Sequence, residues 1–188
     1  MSPRDLPNLI SLLRILMVAP VVLALLRQEF GIAFALFLLA AASDGLDGYL
    51  AKRFNWTSRL GSILDPVADK LLLVSVYLIL GWESHVPSWL VAAIIARDLV
   101  IFFGALAYHY LVGQFELAPS FVSKLNTLVQ LLYGVGVVAA LAVGINMTAD
   151  SVVIGSVIVL ITTALSGLDY VWTWGVRAWQ AKHIRHGE

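Results

Sequence analysis

The sequence predicts an all-α integral membrane protein, a bundle of six transmembrane helices with both termini in the cytoplasm. Three observations predict it. Of 188 residues, 60% are hydrophobic and 13% are charged, and the mean hydropathy is +0.89. A soluble domain is about half apolar and about a quarter charged. Apolar runs long enough to cross hydrocarbon, ~20 residues at about 1.5 Å each, recur along the whole chain. Lys and Arg collect on one side of those runs. The same composition excludes a water-soluble globular enzyme and a disordered chain. Twelve Lys+Arg balance twelve Asp+Glu, so no bulk charge recruits a nucleic acid. The absence of cysteine excludes a disulfide scaffold and thiolate metal sites.

Each span is bounded by readable breaks. The first, 7–26, carries Arg14 and no small-residue cleavage pattern, so it reads as a retained span and not as a targeting peptide. The second, 31–53, begins after Arg27, Gln28 and Glu29. The polar stretch from Lys52 to Arg59 separates it from the third, 61–82. The fourth, 87–110, follows Trp82 to Pro87, and the fifth, 120–143, follows Gly113 to Pro119. Gly144 to Asp150 precedes the sixth, 151–174. Connections this short leave one domain over residues 1–188. With the N-terminus in the cytoplasm, that side carries Arg4, Lys52, Arg53, Arg59, Arg177, Lys182 and Arg185. The opposite side carries Arg27. This is the positive-inside arrangement. The tail from Arg177 to His186 reads as a short interfacial helix or a frayed basic end near anionic headgroups.

Spans two and three contain Asp44, Asp47, Asp65 and Asp69. Each carboxylate costs roughly 2.5–3.5 kcal/mol at a helix centre on insertion scales. Their spacing accounts for them. Asp44 and Asp47 are three apart, Asp65 and Asp69 four apart, so each pair shares a helix face. Both pairs lie near the same membrane face. Four acids at one depth repel unless divalent cations neutralise them, and Mg²⁺, Mn²⁺ and Ca²⁺ take oxygen ligands. Two ions held a few ångströms apart serve phosphoryl chemistry. Gly45, Gly48, Ala51 and Gly61 leave room beside the acids for a bulky ligand, or for close helix packing. Pro66 frees a carbonyl in the turn that presents Asp65.

The pattern Asp44-x-x-Asp47-Gly48-x-x-Ala51-Lys52, then Gly61-x-x-x-Asp65-x-x-x-Asp69, resembles the signature of the CDP-alcohol phosphatidyltransferase family. Lys52 departs from the Arg usual there, with Arg53 next. Charge is kept and bidentate phosphate geometry is not. Pro7-Asn8 with Ser11 and Arg14, Arg97-Asp98, and Ser123-Lys124-Leu125-Asn126-Thr127 are similar to further family landmarks.

The resemblance implies transfer of a phosphatidyl group from CDP-diacylglycerol to an alcohol, with release of CMP. It implies Asp44, Asp47, Asp65 and Asp69 as ligands of Mg²⁺ or Mn²⁺, two ions per site, with Asp69 also the base for the acceptor hydroxyl. It implies Asn8, Gly48, Ala51, Lys52 and Gly61 as contacts of the CDP-lipid, and a homodimer. The chemistry fits a site open to lipid and cytoplasm: the donor's pyrophosphate needs positive charge, and the acceptor needs a base in reach. No cysteine or suitably placed histidine argues for a covalent intermediate, so direct attack on phosphorus is expected.

Arg14, Arg97 and Lys124 are further intramembrane cations, read with Asn126 as a pocket for an acceptor carrying its own phosphate. The Ser-Lys-x-Asn-Thr segment resembles the family's CMP-forming cardiolipin synthases. The phosphatidylglycerophosphate synthases more often show Gly-Lys-x-Lys-Thr. Asn126 in place of a second Lys suits a phosphodiester, with one negative charge, over a phosphomonoester. Phosphatidylglycerol is therefore the expected acceptor and cardiolipin the product, with glycerol 3-phosphate the alternative. A bacterial inner membrane is the expected location. A cation transporter is the rival from another class. A path would spread its acids through the membrane depth, whereas here they cluster in one hairpin and the far half reads as nearly free of polar groups. The histidines, and Trp82, Trp89, Tyr108, Tyr110, Trp172 and Trp174, read as surface or interfacial residues. Gly134, Gly136 and Gly155 read as helix packing or a dimer seam. Asp169 has no assigned role.

Overall fold

The computed structural model describes the backbone of residues 6–54, 61–111 and 120–184, and the side chains of 9–43, 54, 66–107 and 120–173. Six helices occupy it: α1 Leu6–Leu26, α2 Phe30–Phe54, α3 Gly61–Trp82, α4 Ser88–Leu111, α5 Phe121–Ala142 and α6 Ala149–Ile184. No strand occurs among the described residues. The ends of the first five helices fall within a residue or so of the positions that composition predicts.

The breaks have local causes. Gln28 takes a positive φ of 59° between α1 and α2, and the Glu29 N–H closes the turn on the Ala24 carbonyl at 2.9 Å. Ser84 does the same after α3, at φ 61°. The Ser120 side chain caps α5 by accepting the Ser123 N–H at 3.2 Å, and Thr148 accepts the Ser151 N–H at the start of α6. Gly144, at φ 71°, lets the chain leave α5.

The tail differs from expectation. α6 does not stop near residue 174 but runs unbroken for 36 residues, to Ile184. At about 1.5 Å per residue that is ~54 Å, well beyond the ~30 Å of hydrocarbon. The added segment is rich in Ala, Arg, Gln and Lys, which are good helix formers, and contains no proline.

Helix α1 packs against both α2 and α3; α4 and α5 pack against α6; α5 joins the halves through α2 and α3. The core at that junction is Phe37, Tyr77, Leu80, Leu90, Ile94, Val137 and Val138, all essentially inaccessible. Gly134 is buried where α2, α3 and α5 meet. A Cβ there would stand 3.6 Å from the Tyr77 ring and 3.7 Å from the Phe37 ring. Gly155 of α6 lies under the Tyr133 ring of α5. Both glycines therefore serve packing between helices of the chain. Gly136 is exposed, with nothing near it.

The outer surface is apolar, with Leu16, Leu39, Phe102, Leu132 and Leu168 among its exposed residues. Stretches Leu9–Leu26, Ser88–Ala107, Phe121–Ala142 and Ala149–Thr173 are long and apolar enough to cross a membrane. Helix α2 contributes a shorter apolar stretch, Phe30–Ser43, before its acidic half.

Candidate active site

Helices α2 and α3 carry the four acids. Positions 44 and 47 fall within α2, and 65 and 69 within α3. Helical register sets the Cα positions of each pair on one face. The side chains of Asn8, Asp44, Asp47, Gly48, Ala51, Lys52, Gly61 and Asp65 lie outside the described ones.

Asp69 is described. Its side chain is about one-third exposed (32%) and its Oδ1 accepts from Nη1 of Arg14 in α1, whose side chain is fully buried. α1 supplies this arginine because Arg14 lies on the same stripe as Ser11 and Val21, the stripe turned into the bundle. A buried guanidinium without a carboxylate would be costly, and the pair fixes Asp69 against α1.

A second charged group begins one residue later. The Lys70 ammonium donates to both oxygens of Asp98 in α4, at 2.6 and 2.9 Å. Asp98 Oδ1 also accepts from Arg97 Nη1 at 2.8 Å. Arg97 Nη2 donates to Ser123 Oγ of α5 at 2.6 Å and to Ser166 Oγ of α6. Its guanidinium carbon stands 5.9 Å from the centre of the Tyr170 ring, within cation–π range. Along Arg14, Asp69, Lys70, Asp98 and Arg97 the charges alternate in sign, and they tie α1, α3 and α4 to α5 and α6.

The cations that the sequence groups as an acceptor pocket thus have different surroundings. Arg14 and Arg97 are buried and engaged. Lys124 is exposed on α5. Asn126, two positions on, is fully buried, and its Oδ1 accepts from Thr162 and Thr163 of α6, both at 3.0 Å. Lys70 was not among the residues picked from sequence. Its position directly after Asp69, within a span, was the available signal.

Asn126 opens an uncharged polar seam between α5 and α6. Gln130 Nε2 donates to Thr163 Oγ1 at 3.2 Å, and the Tyr77 hydroxyl donates to the Gln130 carbonyl at 2.8 Å. The Tyr133 hydroxyl lies 2.9 Å from the Val152 carbonyl and 2.9 Å from Ser156 Oγ. The half of the bundle away from the acids therefore holds buried polar groups after all. They are neutral hydroxyls, which hardly lower the hydropathy of an apolar run, and two amides, which leave α5 the least apolar of the four long apolar stretches. At that far end, the α3–α4 and α5–α6 turns border an open cleft of about 600 Å³ lined by His85, Ser88, Asn146 and Met147 among others. His85 packs edge-on against Phe30.

Comparison with known proteins bears on the whole arrangement. The model of the CDP-alcohol phosphatidyltransferase family matches residues 4–168. A cardiolipin synthase (CMP-forming) of Rattus norvegicus is 34% identical over 187 residues, covering 90% of this chain and 61% of that protein. That of Homo sapiens is 33% identical over the same shares. A CDP-diacylglycerol–glycerol-3-phosphate 3-phosphatidyltransferase of Pseudomonas fluorescens is 40% identical over 104 residues, 52% of this chain and 52% of that protein. The chain spans about three-fifths of the length of the two mammalian relatives and about half of the bacterial one.

Proposed function

The chain belongs to the CDP-alcohol phosphatidyltransferase family, and from that premise we propose that it transfers the phosphatidyl group of CDP-diacylglycerol to phosphatidylglycerol, forming cardiolipin and CMP. One observation carries the reading. Asp69, last residue of the acidic signature, is held in place by a buried arginine and yet keeps part of its side chain accessible.

Asp69 takes the proton of the acceptor hydroxyl as that hydroxyl attacks the donor phosphorus and CMP leaves. Arg14 orients Asp69 through their ion pair. The glycines at 48 and 61 leave space beside the helices for the nucleotide. The donor set at positions 44, 47, 65 and 69 is oxygen only, which fits Mg²⁺ or Mn²⁺. Bound there by Asp44, Asp47, Asp65 and Asp69, two such ions would supply positive charge against the pyrophosphate.

Coverage does not separate the two acceptors: a relative named probable phosphatidylglycerophosphate synthase, of Mycobacterium tuberculosis, matches 89% of the chain, as the mammalian cardiolipin synthases match 90%. One point favours phosphatidylglycerol. Position 126 holds a neutral Asn, so α5 offers Lys124 alone at the segment read as acceptor-binding, suited to one negative charge. Glycerol 3-phosphate, the acceptor named for the Pseudomonas relative, is the second reading. The bias of Lys and Arg supports six spans, cytoplasmic termini and a cytoplasm-facing site. The bacterial relative agrees with a bacterial inner membrane, and the family resemblance with a homodimer.

The test is CMP release by the purified chain in vesicles with CDP-diacylglycerol and Mg²⁺ or Mn²⁺, each acceptor offered separately. Cardiolipin from phosphatidylglycerol alone is the expected result. Product from glycerol 3-phosphate alone would select the second reading. Cation flux without any CDP-lipid would point to a transporter instead.

A further inference from the structure

We infer that Lys70 is the cation that receives the acceptor's phosphate, and that Asp98, braced by Arg97, aims it. The inference rests on the transferase reading above and assigns the acceptor contact to a residue outside the set read from sequence.

Access to a ligand separates Lys70 from the two arginines. A lysine ammonium has three N–H groups. Asp98 accepts from Lys70 at 2.6 and 2.9 Å, through its two oxygens, and one N–H is left. The Lys70 side chain is 36% exposed, so that donor has access to a ligand. Arg97 offers no such access. Its side chain is 5% exposed, and its terminal nitrogens are engaged by Asp98, Ser123 and Ser166. Arg14 is fully buried and committed to Asp69. Recruiting either arginine to a phosphate would break a buried ion pair, which costs more than one new contact returns.

Position makes the same point. Lys70 follows the proposed base directly, with Cα atoms ~3.8 Å apart, and the charges of Asp69 and Arg97 both act on its ammonium. Adjacent positions on a helix do not face each other; Asp98 holds the Lys70 ammonium toward α4, while Arg14 holds Asp69 on the α1 side. In a glycerol headgroup, a short carbon chain separates the phosphate from the terminal hydroxyl. A phosphate on Lys70 therefore leaves that hydroxyl in reach of Asp69. Arg97 and Asp98 are positioning residues in this scheme: they touch Lys70's environment and not the substrate.

Steady-state CMP release in phosphatidylcholine vesicles tests it, with each substrate varied while the other saturates. Lys70→Gln is expected to raise KM for the acceptor roughly 10- to 100-fold, the range for a lost charge-assisted hydrogen bond, with KM for CDP-diacylglycerol within about twofold. Lys70→Arg keeps the charge and should stay within a few-fold of wild type. Asp98→Asn should move acceptor KM in the same direction, Asp98→Glu should restore it, and Lys70→Gln with Asp98→Asn should be no worse than Lys70→Gln alone. If Lys70→Gln alone does not fold, Lys70→Met, which keeps the apolar stem and leaves the Asp98–Arg97 pair intact, provides the same readout. An unchanged acceptor KM overturns the assignment, as do equal changes in both KM values, or an acceptor effect found in Lys124→Gln and absent in Lys70→Gln. A wild-type chain active with glycerol 3-phosphate in place of phosphatidylglycerol changes the acceptor, and the same KM shift is then expected for it. A wild-type chain releasing CMP with neither overturns the transferase reading, and this assignment with it.

Discussion

The charged group around Asp69 and the neutral seam between α5 and α6 both keep polar atoms away from water, by opposite means. In the first, Arg14, Asp69, Lys70, Asp98 and Arg97 balance one another as ion pairs. In the second, Asn126, Gln130, Tyr133, Ser156, Thr162 and Thr163 satisfy one another as dipoles. Ion pairs in a low-dielectric interior are costly to assemble and more costly to break. Neutral hydrogen bonds between membrane helices contribute much less, about 0.6 kcal/mol on average. The chain thus places its expensive groups around Asp69, where the proposed donor and base would need them, and uses inexpensive ones to register α5 against α6.

The contrast is sharpest at Asp69. Asp69→Asn removes the proposed base and keeps an oxygen to accept from Arg14. CMP release is expected to fall about 10²- to 10⁴-fold, the usual yield of general base catalysis, with the helical circular-dichroism signal in detergent retained. A variant that loses activity only because it unfolds would reduce Asp69 to a counter-ion. The next effect is on stability. Asp98→Ala removes the carboxylate shared by Lys70 and Arg97 and leaves Arg97 buried without a carboxylate partner among the described residues. Breaking such a pair costs about 3–5 kcal/mol, so a large drop in thermal midpoint is expected.

The two regions were unequally legible in the sequence. A carboxylate in an apolar run stands out, and spacing alone groups Asp44 with Asp47 and Asp65 with Asp69. Helix limits were legible for the same reason, because leaving hydrocarbon requires polar residues, as at Arg27 to Glu29. Pairing across helices was not legible. Nothing local says that Lys70 turns to Asp98, 28 positions away, or that Arg97 is completed by Ser123 and Ser166. The seam was hidden further, because threonine and serine are common in apolar helices and become a network only when two faces meet. The length of α6 was missed because its last turns leave the apolar pattern while keeping good helix formers.

Glycine variants test whether the seam needs close approach. An alanine Cβ at Gly155 would overlap the Tyr133 ring and displace its hydroxyl from the Val152 carbonyl and Ser156. Gly155→Ala is expected to destabilise by about 1–3 kcal/mol, the usual cost of overpacking. Gly136→Ala meets nothing within 4 Å, on the same helix pair's outer side, and should be neutral or slightly stabilising. Equal effects from both in a thermal melt would mean that α5 and α6 do not pack as described.

The smallest expected effect is the most discriminating for the comparison. The Thr163 hydroxyl donates to Asn126 Oδ1 and accepts from Gln130 Nε2. Thr163→Val keeps the shape of the side chain and removes both bonds, while Asn126 Oδ1 retains its bond from Thr162. Two bonds at about 0.6 kcal/mol each, the average for such bonds in a membrane protein, give an expected loss of about 1.2 kcal/mol. CMP release and both KM values should not change, because the seam in this account holds helices in register and touches no substrate. If Thr163→Val leaves the melt unaltered but raises acceptor KM, Asn126 and its partners belong to the acceptor's surroundings, and the division between a charged site and a neutral scaffold fails at that point.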